Sequence, residues 1–253
     1  MDAKFYKEYY TLERSHWWFT ARLSILETAL VNIVNKENSR KLKILNVGVA
    51  TGATTEMISK YGEVTSLEYD KACCDFLKEK TGIEAIHGSL TELPFENNSY
   101  DLVCAFDVIE HIDEDSLAVE EIHRILAPAG QYFITVPAFQ FLWSNHDVVN
   151  HHFRRYTKTG INSLFEKLEF DTTYSSYFNF WLFFPIAAVR FILNMLPKNK
   201  KDTTSGSDNE VLSSSGFVNS ILYRIFKSER GFIKSKVRLP VGVSIMSIGT
   251  KNG

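Results

Sequence analysis

Between Lys43 and Val136 the chain alternates short apolar runs with amphipathic helical stretches, and few architectures can bury that pattern. The runs are Lys43–Val47, VTSLE, EAIH, DLVCAF and QYFITV; the stretches between them include Thr54–Tyr61, Lys71–Lys80 and Ser116–Leu126. Apolar runs too long to alternate in and out belong to strands covered on both faces. Helices between them let those strands run parallel. An α/β fold with a parallel sheet is therefore expected. Beyond the fifth run, a helix over Lys158–Lys167, a sixth strand in FDTTYSSYF and a last strand over Val241–Thr250 extend the pattern.

The flanks carry other signals. Residues 1–38 read as helical, with Ile25, Leu26, Ala29, Leu30 and Ile33 on one stripe. The opening MDAKFYKEYY is charged and aromatic, so no signal peptide is expected. Cys73, Cys74 and Cys104 are odd in number and lack metal-site spacing, which suits a reducing compartment. At 253 residues and 45% hydrophobic content, the chain is long enough to bury a core as one domain. The expected division is a helical cap (1–38), a cofactor-binding core (40–137), a substrate-side segment (138–176), an apolar and basic helical insertion (177–238) and a last strand (239–253).

The loop Gly48-Val49-Ala50-Thr51-Gly52 falls where the first strand meets its helix, a place for close backbone approach to a ligand. Glu68 ends the second strand, where a carboxylate can accept from both hydroxyls of a ribose. Gly88, Ser89 and Leu90 follow the third strand. Taken in order, LNVGVATG, SLEYD, GSLTELPF, YDLVCAFDVIEHI and ILAPAGQYFITVP resemble the class I S-adenosylmethionine-dependent methyltransferases over roughly residues 40–137.

That resemblance implies a Rossmann-like fold with a seven-stranded, mostly parallel sheet, N-terminal helices and an apolar helical insertion before the last strand. It also implies S-adenosylmethionine as cofactor, S-adenosylhomocysteine as product, and cofactor contacts from Asn46, Gly48, Val49, Ala50, Gly52, Glu68, Tyr69, Ser89, Leu90 and Phe106 or Asp107. The chain departs from the family pattern at three places: Asn46 and Ser89 stand for acids, and Ala50 for a glycine. Asn46 can order the loop by hydrogen bonds, and the Ala50 methyl fits if φ there is negative. These departures also leave room for a chain that binds the cofactor, or scaffolds, without turnover. A dehydrogenase would use a similar strand, loop and acid, but the EHI and LAPAGQYFITVP segments speak against it.

Methyl transfer is an in-line displacement that depends mainly on positioning, with a base needed for an oxygen acceptor. His111, His146 and His152, the last two near Asp147, are the candidate bases, with Asp147 as their partner. Arg154 or Arg155 suits a phosphate or carboxylate clamp; the alternative is an ion-pair network with Asp147 that pins the loop. The segments around His16-Trp17-Trp18-Phe19, Arg22, WSNHD and HFRRY are similar to a subgroup of methyltransferases linked to cell-surface glycan and lipid pathways. By that likeness Trp17, Trp18, Arg22, Trp143, Arg154, Arg155 and Tyr156 would roof a substrate pocket; the alternative is that Trp17 and Trp18 cap the core. The histidines lack a strong ligand spacing, so no metal is expected.

The expected acceptor is a small molecule, a sugar or a lipid-linked glycan, methylated on oxygen in preference to nitrogen or carbon. A protein or nucleic-acid methyltransferase is the other enzyme reading. No nucleic-acid partner is expected, because no recognisable nucleic-acid module is present. From Arg190 to Arg238 there are ten Lys or Arg against four Asp or Glu. The apolar segment 177–196 falls short of a clean span, since Arg190 sits inside it. Contact with an anionic membrane through 177–201, burial in the fold or a homodimer, and a lid over a greasy acceptor all remain open. The expected location is the cytoplasm, extending to the inner face of the membrane.

Overall fold

The computed structural model describes residues 3–34, 41–195 and 216–252. Two helices, α1 (Ala3–Ser15) and α2 (Trp17–Val34), precede strand β1 (Leu42–Val47). The alternation then runs α3 (Ala53–Ile58), β2 (Gly62–Glu68), α4 (Lys71–Thr81), β3 (Ala85–His87), β4 (Tyr100–Phe106), α5 (Asp115–Ile125) and β5 (Leu126–Pro137). After β5 come α6 (Asn145–Val149), α7 (Lys158–Glu166), β6 (Phe170–Phe178), α8 (Phe180–Met195), α9 (Gly216–Ser228), α10 (Arg230–Lys234) and β7 (Ser244–Lys251). The helix expected over residues 1–38 is broken at His16 into α1 and α2; its last residues, 35–38, and the polar stretch before α9 lie outside the described residues.

The seven strands form one sheet in the order β3-β2-β1-β4-β5-β7-β6. Only β7 opposes its neighbours, pairing antiparallel with β5 and β6. This is the Rossmann-like, mostly parallel arrangement anticipated above. The central strands are buried on both faces: β1 packs Leu45 and Val47 into one apolar cluster and Leu42 and Ile44 into the other. The predicted stripe of α2 (Ile25, Leu26, Ala29, Leu30 and Ile33) lies in the second cluster, with Trp17 and Ala21.

The chain lays β2 and β3 to one side of β1, then crosses back to place β4 on its other side. Open α/β sheets bind ligands outside the carboxyl ends of strands at such a reversal. Here that crevice is bounded by the loop after β1 and the turn after β4. Four non-glycine residues near it hold positive φ: Ala50 (46°), Asp107 (56°), Phe139 (56°) and His151 (57°). Each costs backbone energy that surrounding contacts must offset, and such residues gather at functional sites.

The insertion before β7 packs back onto α2. Phe226 of α9 and Ile233 of α10 are buried in the same cluster as the α2 stripe, and Trp18 stacks on Phe226 with ring centroids 6.3 Å apart. Glu229, fully buried, accepts from the backbone N–H groups of Asn179 (2.7 Å), Phe180 (2.8 Å) and Trp181 (3.3 Å), the donors a helix start leaves unpaired. It thereby ties α8 to α9. Burial raises this carboxyl to about 7, against the three amides that pull it down.

Candidate active site

The loop after β1 is built by two glycines that no other residue can replace without strain. Gly48 has φ +67°, and a Cβ there would lie 2.5 Å from Val108 Cγ2; Gly52 has φ +94°, with Leu77 Cδ1 at 2.7 Å. Ala50 sits between them at φ +46°, so the negative φ that would fit its methyl without strain is not what the loop adopts. Its strain is held by neighbours: the Ala50 N–H donates to Glu68 Oε2 at 2.9 Å, and its carbonyl accepts from Cys73 Sγ at 3.2 Å. The other Glu68 oxygen accepts from the Asp70 N–H at 3.1 Å. Glu68 thus locks the glycine loop to the end of β2 while each oxygen keeps a lone pair for a further donor.

Asn46 is fully buried beneath the loop, where its Nδ2 donates to Thr54 Oγ1 and Thr55 Oγ1, both at 3.0 Å. It orders the start of α3 and has no open face toward the crevice. Val49 is likewise buried, whereas Tyr69 is exposed. Ser89 Oγ is engaged locally, 2.7 Å from Thr91 Oγ1 and accepting from the Thr91 N–H at 3.2 Å. The Leu90 side chain is in the core, which leaves only its backbone for a ligand. Phe106 packs edge-on against Phe133.

Helix α1 lies across this loop, and sequence reading missed it. Glu13 accepts from Thr51 Oγ1, Arg14 donates to the Thr51 carbonyl at 3.1 Å, and Tyr6 donates to Asp70 Oδ2 at 2.7 Å. Burial raises the Glu13 carboxyl. The signal was weak: a lone acid in a charged helix gives no hint that it will be covered.

On the other side of the crevice, Asp107 accepts from Arg22 at 2.7 Å and from Thr135 Oγ1 at 2.9 Å, and Arg22 also reaches Thr135 at 2.9 Å. Arg22, expected among the residues roofing a substrate pocket, is therefore committed to the end of β4. Trp17, 4% exposed, belongs to the core. Trp18 is partly buried and stacks on Phe226 of α9, with the Arg22 guanidinium 5.7 Å from its ring.

The loop after β5 is pinned by Asp147, whose side chain is completely buried. Asp147 Oδ1 meets His152 Nδ1 at 2.9 Å and Arg155 Nε at 2.8 Å, while Oδ2 accepts from Arg155 NH2 at 3.0 Å and the Ser144 N–H at 2.8 Å. Burial would raise this carboxyl, but the bonds from His152 and Arg155 outweigh it and hold Asp147 well below the usual carboxylate range. Arg155 also donates to the Ala138 carbonyl at 3.2 Å, so it serves the ion-pair network and is unavailable as a clamp. Tyr156 is buried with its hydroxyl on Asp115 at 2.8 Å. Arg154 pairs with Asp115 at 3.0 Å and Asp113 at 3.2 Å, and Trp143 is half-buried.

Three residues meet where the β4 turn faces this loop. The rings of His111 and His152 stand perpendicular with centroids 4.6 Å apart, and His146 lies 6.1 Å from His152. Beside them Glu110 is fully buried, with neither carboxylate oxygen taking a hydrogen bond. Desolvation, reinforced by Asp107, raises the Glu110 carboxyl far above its ordinary value. His111 keeps one edge in solvent, yet desolvation of the rest and the facing His152 push its imidazole down to about 4. It is neutral at pH 7 and a weak base.

Residues 45–134 match a family model described as a methyltransferase domain. A demethylmenaquinone methyltransferase of Staphylococcus aureus is 31% identical over 117 residues, 41% of this chain and 48% of that relative. The chain thus aligns with about half the length of that curated relative. Among solved structures, a putative sarcosine dimethylglycine methyltransferase from Galdieria sulphuraria superposes with a TM-score of 0.56 at 17% identity, covering 92% of this chain and 85% of that one. A putative methyltransferase from Bacillus halodurans gives 0.54 at 14% identity, covering 88% and 99%.

Proposed function

We propose that this chain, whose residues 45–134 match the model of a methyltransferase domain, transfers the methyl group of S-adenosylmethionine to a small-molecule, sugar or lipid-linked acceptor, with oxygen the favoured target. The observation that carries the reading is the crevice where the strand order reverses. There a loop closed by two left-handed glycines meets Glu68, a carboxylate already turned toward it. The fit to such a cofactor is chemical: Gly48 and Gly52 hold the loop backbone in left-handed turns beside the crevice, and Glu68 retains acceptor capacity suited to ribose hydroxyls. When bound, the sulfonium supplies an electrophilic methyl carbon.

The chain's own contribution is placement. Glu68 holds the loop, Asn46 and Thr55 hold the start of α3, and Arg22 with Thr135 holds Asp107 at the end of β4. Those three anchors set the floor on which an acceptor atom would be brought into line, the source of most rate enhancement in such displacements. A demethylmenaquinone enzyme among the relatives fits a small, apolar acceptor. Calorimetry with S-adenosylhomocysteine tests the reading. Saturable heat is expected, weakened by about 1–3 kcal/mol in Glu68→Ala, the scale of lost hydrogen bonds to a charged group. Neither heat nor thermal shift at millimolar ligand would remove the proposal.

A peripheral position on an anionic membrane is the second reading, favoured by one surface. Trp181, Phe184, Val189, Phe191 and Ile192 of α8, with Phe217, Val218 and Ile221 of α9, are exposed. A groove lined by Arg224, Lys227, Arg230 and Lys234 adjoins them in sequence. Apolar side chains inserted at headgroup depth beside lysines and arginines suit a surface-lying helix. Among the described residues no helix is long and apolar enough to cross a membrane. Co-sedimentation with phosphatidylglycerol vesicles should pellet the intact chain and spare one lacking residues 180–230. Equal pelleting, or a stable homodimer in solution that hides the same surface, would overturn it.

A further inference from the structure

We propose that Glu110, His111 and His152 form a binding site for one divalent first-row ion of the zinc, cobalt or iron(II) kind. The three offer one ligand atom each, and these atoms lie within 4.8 Å of one another. In a tetrahedral set built on metal bonds of roughly 2.1 Å, ligand atoms stand roughly 3.4 Å apart, so closure needs only a small inward movement.

The geometry of the hydrogens singles out a cation. His152 Nδ1 is held by Asp147 Oδ1 at 2.9 Å, which places the proton there and turns an Nε2 lone pair the other way. The His111 ring stands perpendicular to that of His152, centroids 4.6 Å apart, and keeps one side in solvent. Both oxygens of Glu110 are buried and accept from no donor. Three electron-pair donors therefore converge. The two guanidiniums that bear on Glu110 electrostatically, Arg22 and Arg155, are bonded instead to Asp107 and Asp147. A buried carboxyl that no donor meets is costly to strand, and a bound cation is an occupant that satisfies all three ligands together.

The ligand chemistry narrows the ion. Two imidazoles and one carboxylate make a mixed nitrogen and oxygen set, typical of catalytic zinc and non-haem iron, whereas magnesium and calcium prefer oxygen throughout. Three protein ligands leave further positions open, and the exposed edge of His111 provides an entry path. Asp147 is a positioning residue here, a carboxylate that orients a ligating histidine. Linear spacing hid the site because its histidines come from the turn after β4 and the loop after β5.

The test is titration of the tag-free, chelator-stripped chain with Co2+, followed by visible absorption, with Zn2+ competition and no methyl donor present. Its outcome does not depend on the methyl-transfer reading. One equivalent of Co2+ should bind with an intensified visible band and be displaced by Zn2+. Glu110→Gln should weaken binding at least tenfold, and Asp147→Asn should lower affinity about 10–100-fold. His111→Asn, at a surface-reaching position that leaves the core intact, should weaken it likewise even if a Glu110 variant misfolds. No saturable binding at millimolar Co2+, or equal affinity in the parent and His111→Asn, would overturn the site.

Discussion

Replacing Gly48 by alanine tests the architecture of the cofactor loop at its tightest point. At φ +67°, any L-residue costs about 1–2 kcal/mol relative to the right-handed regions. The added Cβ also meets Val108 Cγ2 at 2.5 Å, and overpacking of this kind costs about 1–3 kcal/mol more. Gly48→Ala should therefore destabilise the chain by about 2–5 kcal/mol in urea unfolding. Val108→Ala alone removes two partly buried carbons, for about 1–2 kcal/mol. If the clash is real, Val108→Ala also removes the atom that the new methyl would strike, so the double variant should be no worse than Gly48→Ala alone. The coupling should favour the double variant by about 1–3 kcal/mol, the size of the relieved overpacking. Additivity within about 0.5 kcal/mol would refute the argument, because two residues that do not touch behave that way.

Three further outcomes follow from strain, burial and titration. Ala50→Gly relieves a left-handed alanine at φ +46° but loosens the unfolded chain by about 0.4–1 kcal/mol, so thermal unfolding should show no loss and up to about 1.6 kcal/mol of gain; a clear loss would mean that the methyl packs. Arg155→Ala strips two hydrogen bonds from the fully buried Asp147 and should cost about 3–5 kcal/mol in urea unfolding, with much of it recovered in an Arg155→Met, Asp147→Leu double variant. Glu229, at about 7 in the folded chain against an ordinary 4.5, binds its proton more tightly when folded, so its stabilising contribution is full below about pH 4.5 and lost as pH rises through 7. Protection factors of α8 amides, with the intrinsic pH dependence of exchange divided out, should accordingly be higher at pH 5 than at pH 8, and Glu229→Gln should flatten that difference.

Much of this molecule was legible before any coordinates. The strand and helix alternation, the α2 stripe and the two glycines of the loop after β1 are short-range signals, each readable within a window of a dozen residues. Ala50 shows where such reading stops, since its φ is imposed by Glu68 and by the loop's closure, and nothing in the tripeptide around it specifies the sign. Expected clamps and roof residues also changed role once their partners were known. Arg22 met Asp107, Arg155 met Asp147, Tyr156 met Asp115 and Trp17 entered the core.

Glu110 and Glu229 make the same point from the other side. Each sits in an ordinary stretch of sequence, and each becomes a buried carboxylate of consequence only through residues distant along the chain: His152 for the first and the start of α8 for the second. By itself the sequence determined the fold class, the order of the elements and the crevice in which a ligand belongs, because periodicity and turn chemistry act locally. Tertiary structure alone decided which charges are paired, which are stranded and which imidazoles face one another. Those outcomes depend on distance and desolvation between segments, and neither quantity exists until the chain has closed on itself.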